Sequence, residues 1–170
     1  YDGLSVSMNI DSDNSGEDKD VRDAKTIGFS IGTSDTKQSK GGVSKKLAIF
    51  DESMQKYYDY RIGLTNYKGT DCYTFSCEVK NSLTEKELRK TLIRKIVSYF
   101  DKDNFNVLYR EHVFSYRHLL IDLDMQVIVH FEYKNGITVP KNIYYKGFWN
   151  VPLYKAERAE FNLELTDYKI

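Results

Sequence analysis

The chain has 170 residues, with 25 Lys plus Arg balanced by 25 Asp plus Glu and a formal net charge of zero, a size that suits one domain without disulfide staples. This balance supplies no field to draw nucleic acid or an anionic membrane, which argues against a dedicated nucleic-acid binder. No apolar run approaches the roughly 20 residues of a membrane-spanning helix, so no transmembrane segment is expected; the start at Tyr1 rather than Met reads as a processed product or a fragment whose targeting segment is out of view.

Residues 1–49 read as N-terminal strands and mobile polar loops. Two short strands, "LSVSMNI" (4–10) and "AKTIGFSIG" (24–32), are separated and followed by the polar stretches 11–23 and 33–46, which hold little that could be buried. In "DSDNSGEDKDVR", Asp11, Asp13, Ser15 and Gly16 fall where the first half of a calcium loop needs them. The bidentate glutamate of the twelfth position is replaced by Arg22, so this stretch reads as a solvated acidic loop and no metal site is expected.

Residues 50–170 change character. "SKKLAIFDESMQKYY" offers a helical turn or two, then "KYYDYRIGL" and "DCYTFSCEV" alternate as strands. Cys72 and Cys77 lie five positions apart, roughly 17 Å along a strand and on opposite faces, so they cannot pair with each other. Without further ligands at metal spacing they read as small buried hydrophobes. In "NSLTEKELRKT", Ser82 or Thr84 can cap a short helix, with Glu87 three residues after Thr84. "TLIRKIVSYF" and "FNVLYREHVFSY" form the next hairpin, and a four-residue loop would set Phe100 opposite Phe105, Ile96 opposite Tyr109 and Arg94 opposite Glu111.

The longest strand is "IDLDMQVIVHFEY". Ile121, Leu123, Met125, Val127, Val129, Phe131 and Tyr133 occupy every second position, while Ile128 alone interrupts the polar set between them, so one face is buried and the other wet. After it, a two-residue Asn-Gly turn would send Ile137 and Val139 to the polar side. A three-residue loop with Gly136 as a bulge keeps the apolar face whole and is the expected geometry. "ITVPKNIYY" and "AEFNLEL" complete about seven strands. With no helix wide enough in apolar stripe to cover such a sheet, the expected class is mostly β: a strongly curved antiparallel meander, a half-barrel or open barrel, with at most one or two short helices.

The motifs "FDESMQKYYDYRI", "DCYTFSCEV", "SYFDKDNFNVLYREH", "LIDLDMQVIVHFEY", "NGITVPKNIYY" and "GFWNVP", spread over residues 50–161, resemble a secreted envelope domain of Bacteroides-type bacteria that is often attached to a carboxypeptidase-regulatory-like module and has no assigned activity. The general plan is also similar in architecture to the curved half-barrel of outer-membrane lipoprotein carriers. The resemblance implies a periplasmic or outer-membrane-associated protein and, as partner, a lipid, a lipoprotein or another envelope protein.

No catalytic constellation stands out. Asp122 and Asp124 share a strand face about 7 Å apart, a spacing that fits a glycosidase pair, but carboxylates on a wet face ordinarily just solvate it. His112 and Ser115 have opposite parity and cannot meet, and no nucleophile elbow or phosphate loop is present. No enzyme activity and no cofactor are expected. The anomaly is aromatic content, 14 Tyr, 9 Phe and 1 Trp, concentrated in "IYYKGFWNVPLY". The expected function is therefore non-catalytic: an apolar ligand such as a lipid or lipoprotein acyl chain, or a partner segment, held on the concave face by Met125, Val127, Val129, Phe131, Tyr145 and Trp149. A carbohydrate-binding module using exposed Trp and Tyr, and a purely structural accessory domain, are the alternatives.

Overall fold

The computed structural model describes residues 46–118, 121–150 and 155–166. The strands expected at 4–10 and 24–32, the stretch 11–23 with its calcium-like pattern, and the stretch 33–46 up to its last residue lie outside the described residues.

Seven strands form one antiparallel sheet in sequence order: β1 (Tyr58–Tyr67), β2 (Thr70–Val79), β3 (Ile93–Asp101), β4 (Val107–His118), β5 (Ile121–Lys134), β6 (Ile137–Asn150) and β7 (Glu157–Glu164). The sheet is curved and does not close into a barrel, so β1 and β7 are its edges. Each strand is paired antiparallel with its sequence neighbour, the order that alternating neighbouring segments favour.

Two one-turn helices punctuate the meander. Helix α1 (Glu52–Gln55) starts at Asp51, whose carboxylate accepts from the Ser53 N–H at 2.8 Å. Helix α2 (Glu85–Leu88) carries a complete capping box: the Thr84 hydroxyl accepts from the Glu87 N–H, and the Glu87 carboxylate accepts from the Thr84 N–H at 2.9 Å. Reciprocal capping of this kind satisfies donors that so short a helix cannot bond internally.

Parity assigns the two faces. Tyr58, Tyr60, Ile62 and Leu64 of β1 lie opposite Val79, Cys77, Phe75 and Tyr73 of β2, and the same side continues through Ile96, Phe114, Met125, Val127 and Tyr145. A single core cluster runs along it, and Ile49, Met54 and Tyr57 from the segment containing α1 belong to that cluster. The Tyr60 hydroxyl donates to the Ile49 carbonyl, and the Phe50 ring stacks on Tyr60 with centroids 5.9 Å apart. The sequence 46–57 therefore lies as a strap across one end of the apolar face, fastened by ring contacts and the Tyr60 hydroxyl bond to the Ile49 carbonyl.

Cys72 and Cys77 are both buried, free, and on opposite faces, as their spacing requires.

Both hairpin registers differ from expectation. Ile96 faces His112, Tyr99 faces Tyr109 and Phe100 faces Val107, with an irregularity between Tyr99 and Phe100. The reason lies in the loop: Phe105 adopts a left-handed backbone, φ 59°, while the Asp101 carboxylate accepts from the Asp103 and Asn104 N–H groups. In this setting Phe105 leaves the ladder and stacks on Tyr73 at 5.8 Å, 5° from parallel. The second hairpin closes on two residues, Asn135 (φ 52°) and Gly136 (φ 86°), with Lys134 opposite Ile137. That is the twist-matched turn of tight hairpins, in which both residues take positive φ.

The Asn-Gly turn does send Val139 to the polar side, opposite Glu132, yet Val139 is buried there. Parity is restored by a bulge: His130 pairs with Asn142 but Phe131 with Pro140, leaving Lys141 as the extra residue. A bulge beside proline is favourable, because proline has no N–H to give the ladder. From Ile143 onward β6 again presents its apolar residues to the inner face.

Candidate functional site

The six residues expected to line a ligand site fall on one face of the β5–β6 pair. Val127 lies opposite Tyr145, Met125 opposite Gly147 and Leu123 opposite Trp149. Met125, Val127, Val129 and Tyr145 are 4%, 1%, 2% and 2% exposed, and Phe131 and Trp149 pack against them as partly buried members of the same cluster. They form the floor of the apolar face. The Trp149 indole stacks on buried Tyr145 at 6.1 Å, and its Nε1 is buried without a partner among the described residues.

Gly147 makes that stacking feasible. A Cβ there would sit 2.6 Å from the Tyr145 hydroxyl oxygen and 2.6 Å from the Trp149 ring. Gly147→Ala should therefore destabilise by about 1–3 kcal/mol through overpacking, although alanine is ordinarily favourable in the unfolded-state balance. Denaturant titration checks this; a variant as stable as the parent would mean that the two rings have room to move.

Beyond this floor the face opens. Ile62 and Leu64 on β1 are 81% and 70% exposed, although by parity they belong to the same side as Tyr58 and Tyr60, which the α1 strap covers.

Sequence reasoning missed the polar residues that share this face. Strand β4 places Arg110 between Ser98 and Val129, and His112 between Ile96 and Val127. Arg110 Nε donates to Ser98 Oγ at 3.3 Å. Burial pulls the Arg110 guanidinium below its ordinary value, and burial, joined by the Arg110 charge and opposed by Glu111, lowers the His112 imidazole to about 4. The signal was present in "LYREHVF": strict alternation puts Leu108, Arg110, His112 and Phe114 on one side, and the apolar members of that set should have carried the two charged-type residues inward with them.

The opposite face is laced with ion pairs. Arg117 meets Asp124 at 2.5 Å and Asp122 at 3.9 Å, Lys95 meets Glu111 at 3.2 Å, Lys141 meets Glu132 at 3.2 Å and Lys146 meets Glu160 at 3.7 Å. The two aspartates that could pass for a glycosidase pair thus clamp one arginine. Burial works to raise the Asp124 carboxyl, but hydrogen bonds from Arg117 and Ser115 and the nearby Arg117 and Arg94 charges outweigh it and hold it below the usual carboxylate range.

That face also carries an aromatic group that alternation alone does not reveal. Tyr99 stacks on Tyr109 at 4.8 Å, Tyr67 contacts both rings, and its hydroxyl lies 2.5 Å from His130 Nδ1. Tyr67 closes β1 and His130 lies on β5, so this contact ties the first hairpin to the middle of the sheet.

Comparison with known protein families, curated proteins and solved structures returned no match. Among the described residues no group of three or more His, Cys, Asp or Glu is placed to hold a metal ion, and no helix is long and apolar enough to cross a membrane.

Proposed function

We propose that this is a non-catalytic binding domain of the bacterial envelope that holds an apolar ligand, the acyl chain of a lipid or lipoprotein, on the part of its apolar face that the α1 strap leaves open. The observation that carries the reading is the exposure of Ile62 and Leu64, 81% and 70%, on the face whose continuation forms the core. A contiguous apolar surface of this kind is costly to leave in water and ordinarily marks a binding site. The ligand would lie against Ile62, Leu64, Phe75 and Phe131, over the floor made by Val127 and Val129, and its recognition would need neither metal nor titrating group. The envelope setting rests on the family resemblance of residues 50–161. A purely structural role is the second reading, favoured by the near-complete burial of Val127 and Val129, 1% and 2% exposed.

Nile red, a neutral dye that brightens in apolar surroundings, should bind the folded protein and be displaced by a long-chain alcohol. The double substitution Ile62→Ser and Leu64→Ser should weaken binding at least severalfold while leaving the melting temperature within a few degrees. No dye binding, or binding indifferent to these substitutions, would support the structural role instead.

A further inference from the structure

We propose that the ligand of this face is a long-chain carboxylate, a singly charged amphiphile whose head group is held by Arg110 with Ser98 beside it and whose tail lies along the apolar row. The inference rests on the reading above and adds the charge and chemistry of the head group.

Arg110 stands in the middle of the apolar side, with Ser98 and Val129 as its cross-strand neighbours. A guanidinium carries five N–H donors in a fixed fork, and among the described residues only Nε is engaged, at 3.3 Å, with the Ser98 hydroxyl. Every ion pair among the described residues lies on the opposite face. The fork is therefore open, and no acid of the described residues answers its charge. Arg110 is partly buried, and a partly desolvated cation without a counter-charge is unfavourable; a carboxylate that accepts two parallel N–H bonds from the fork relieves it.

One charge is the expected complement. His112, the next residue on that face of β4, is kept neutral near pH 7 by its burial and by Arg110 itself, so it offers no second cation for a dianionic phosphate. Apolar residues surround the polar pair: Ile96 and Val127 flank His112, while Val129 flanks Arg110. A head group at Arg110 would thus direct a tail over apolar surface toward exposed Leu64 and Ile62.

The test compares pyrene-decanoic acid with its methyl ester on the full chain at pH 8, both below their aggregation limits. The acid should bind roughly tenfold or more tightly than the ester, the scale of one charge-assisted contact, and its affinity should fall by a similar factor in Arg110→Gln while the ester is unaffected. Should Arg110→Gln fail to fold, the acid-to-ester preference of the unmodified protein decides. Equal binding of acid and ester would overturn the head-group assignment and leave the apolar-ligand reading standing. Binding of neither would remove that reading as well. Tighter binding of an alkyl phosphate of equal chain length would overturn the assignment of a single charge.

Discussion

Met125→Asp should abolish the cooperative fold or cost about 4 kcal/mol or more, whereas Asp124→Ala, one residue away, should cost about 1 kcal/mol or less. Met125 is 4% exposed, between Phe114 on β4 and Gly147 on β6. Losing its side chain removes packing typically worth 2–5 kcal/mol, about the size of a small domain's whole margin, and the new carboxylate would have no partner beside it on β4 or β6. Asp124 faces the other way, and its bond to Arg117 joins side chains 44% and 45% exposed. Pairs so open to water contribute little. Chemical denaturation of the two variants separates these expectations, and equal losses would mean that β5 presents the other face to the core.

The contrast between neighbours is the part of this fold that alternation made legible. Seven segments that alternate became seven strands in sequence order, and the cap at Thr84 with Glu87 became a complete capping box. Chemistry of that kind is local: a hydroxyl three residues before a glutamate, or a side-chain row with period two, carries its meaning within a few residues. Register does not. The Phe105 position gives no hint of left-handed backbone, because a bulky residue avoids it, and the conformation is adopted in a loop where the Asp101 carboxylate gathers two N–H groups and the ring lands on Tyr73. Likewise, keeping the apolar face whole was the right constraint on β6, but the chain satisfies it at Lys141, five residues beyond the Asn135–Gly136 turn, rather than at Gly136. A bulge can sit anywhere along a ladder, and only the partner strand decides where.

The site was half legible for a similar reason. Parity gathers Met125, Val127, Val129 and Phe131 on one side, but whether a row meets a ligand or a strap depends on what crosses it from elsewhere in the chain. Here residues 46–57 cover the first half of β1, at Tyr58 and Tyr60, and leave Ile62 and Leu64 of its second half open, a division that follows from the Tyr60 hydroxyl reaching the Ile49 carbonyl. Arg110 and His112 were legible in principle. The parity of Leu108 and Phe114 on the same strand places both of them on the inner face.

The burial of His112 has a consequence that can be measured as a function of pH. In the unfolded chain its imidazole takes up a proton near pH 6.5, but in the fold burial, together with the Arg110 charge and against the pull of Glu111, lowers this to about 4. Between those values the unfolded state binds more protons than the folded one, so stability must fall as pH falls through that window and is unaffected by His112 above it. The loss accumulates to about 3 kcal/mol by pH 4. Asp124, held low by Arg117, also costs stability on acidification, but in a parent and a His112→Gln variant alike. The difference in unfolding free energy between those two proteins therefore isolates His112. It should shrink by about 2–3 kcal/mol between pH 7 and pH 4, whatever fixed penalty the substitution carries. A difference that stays constant across that range would mean that water reaches the ring, and hence that the centre of the apolar face beside Arg110 is wet rather than dry.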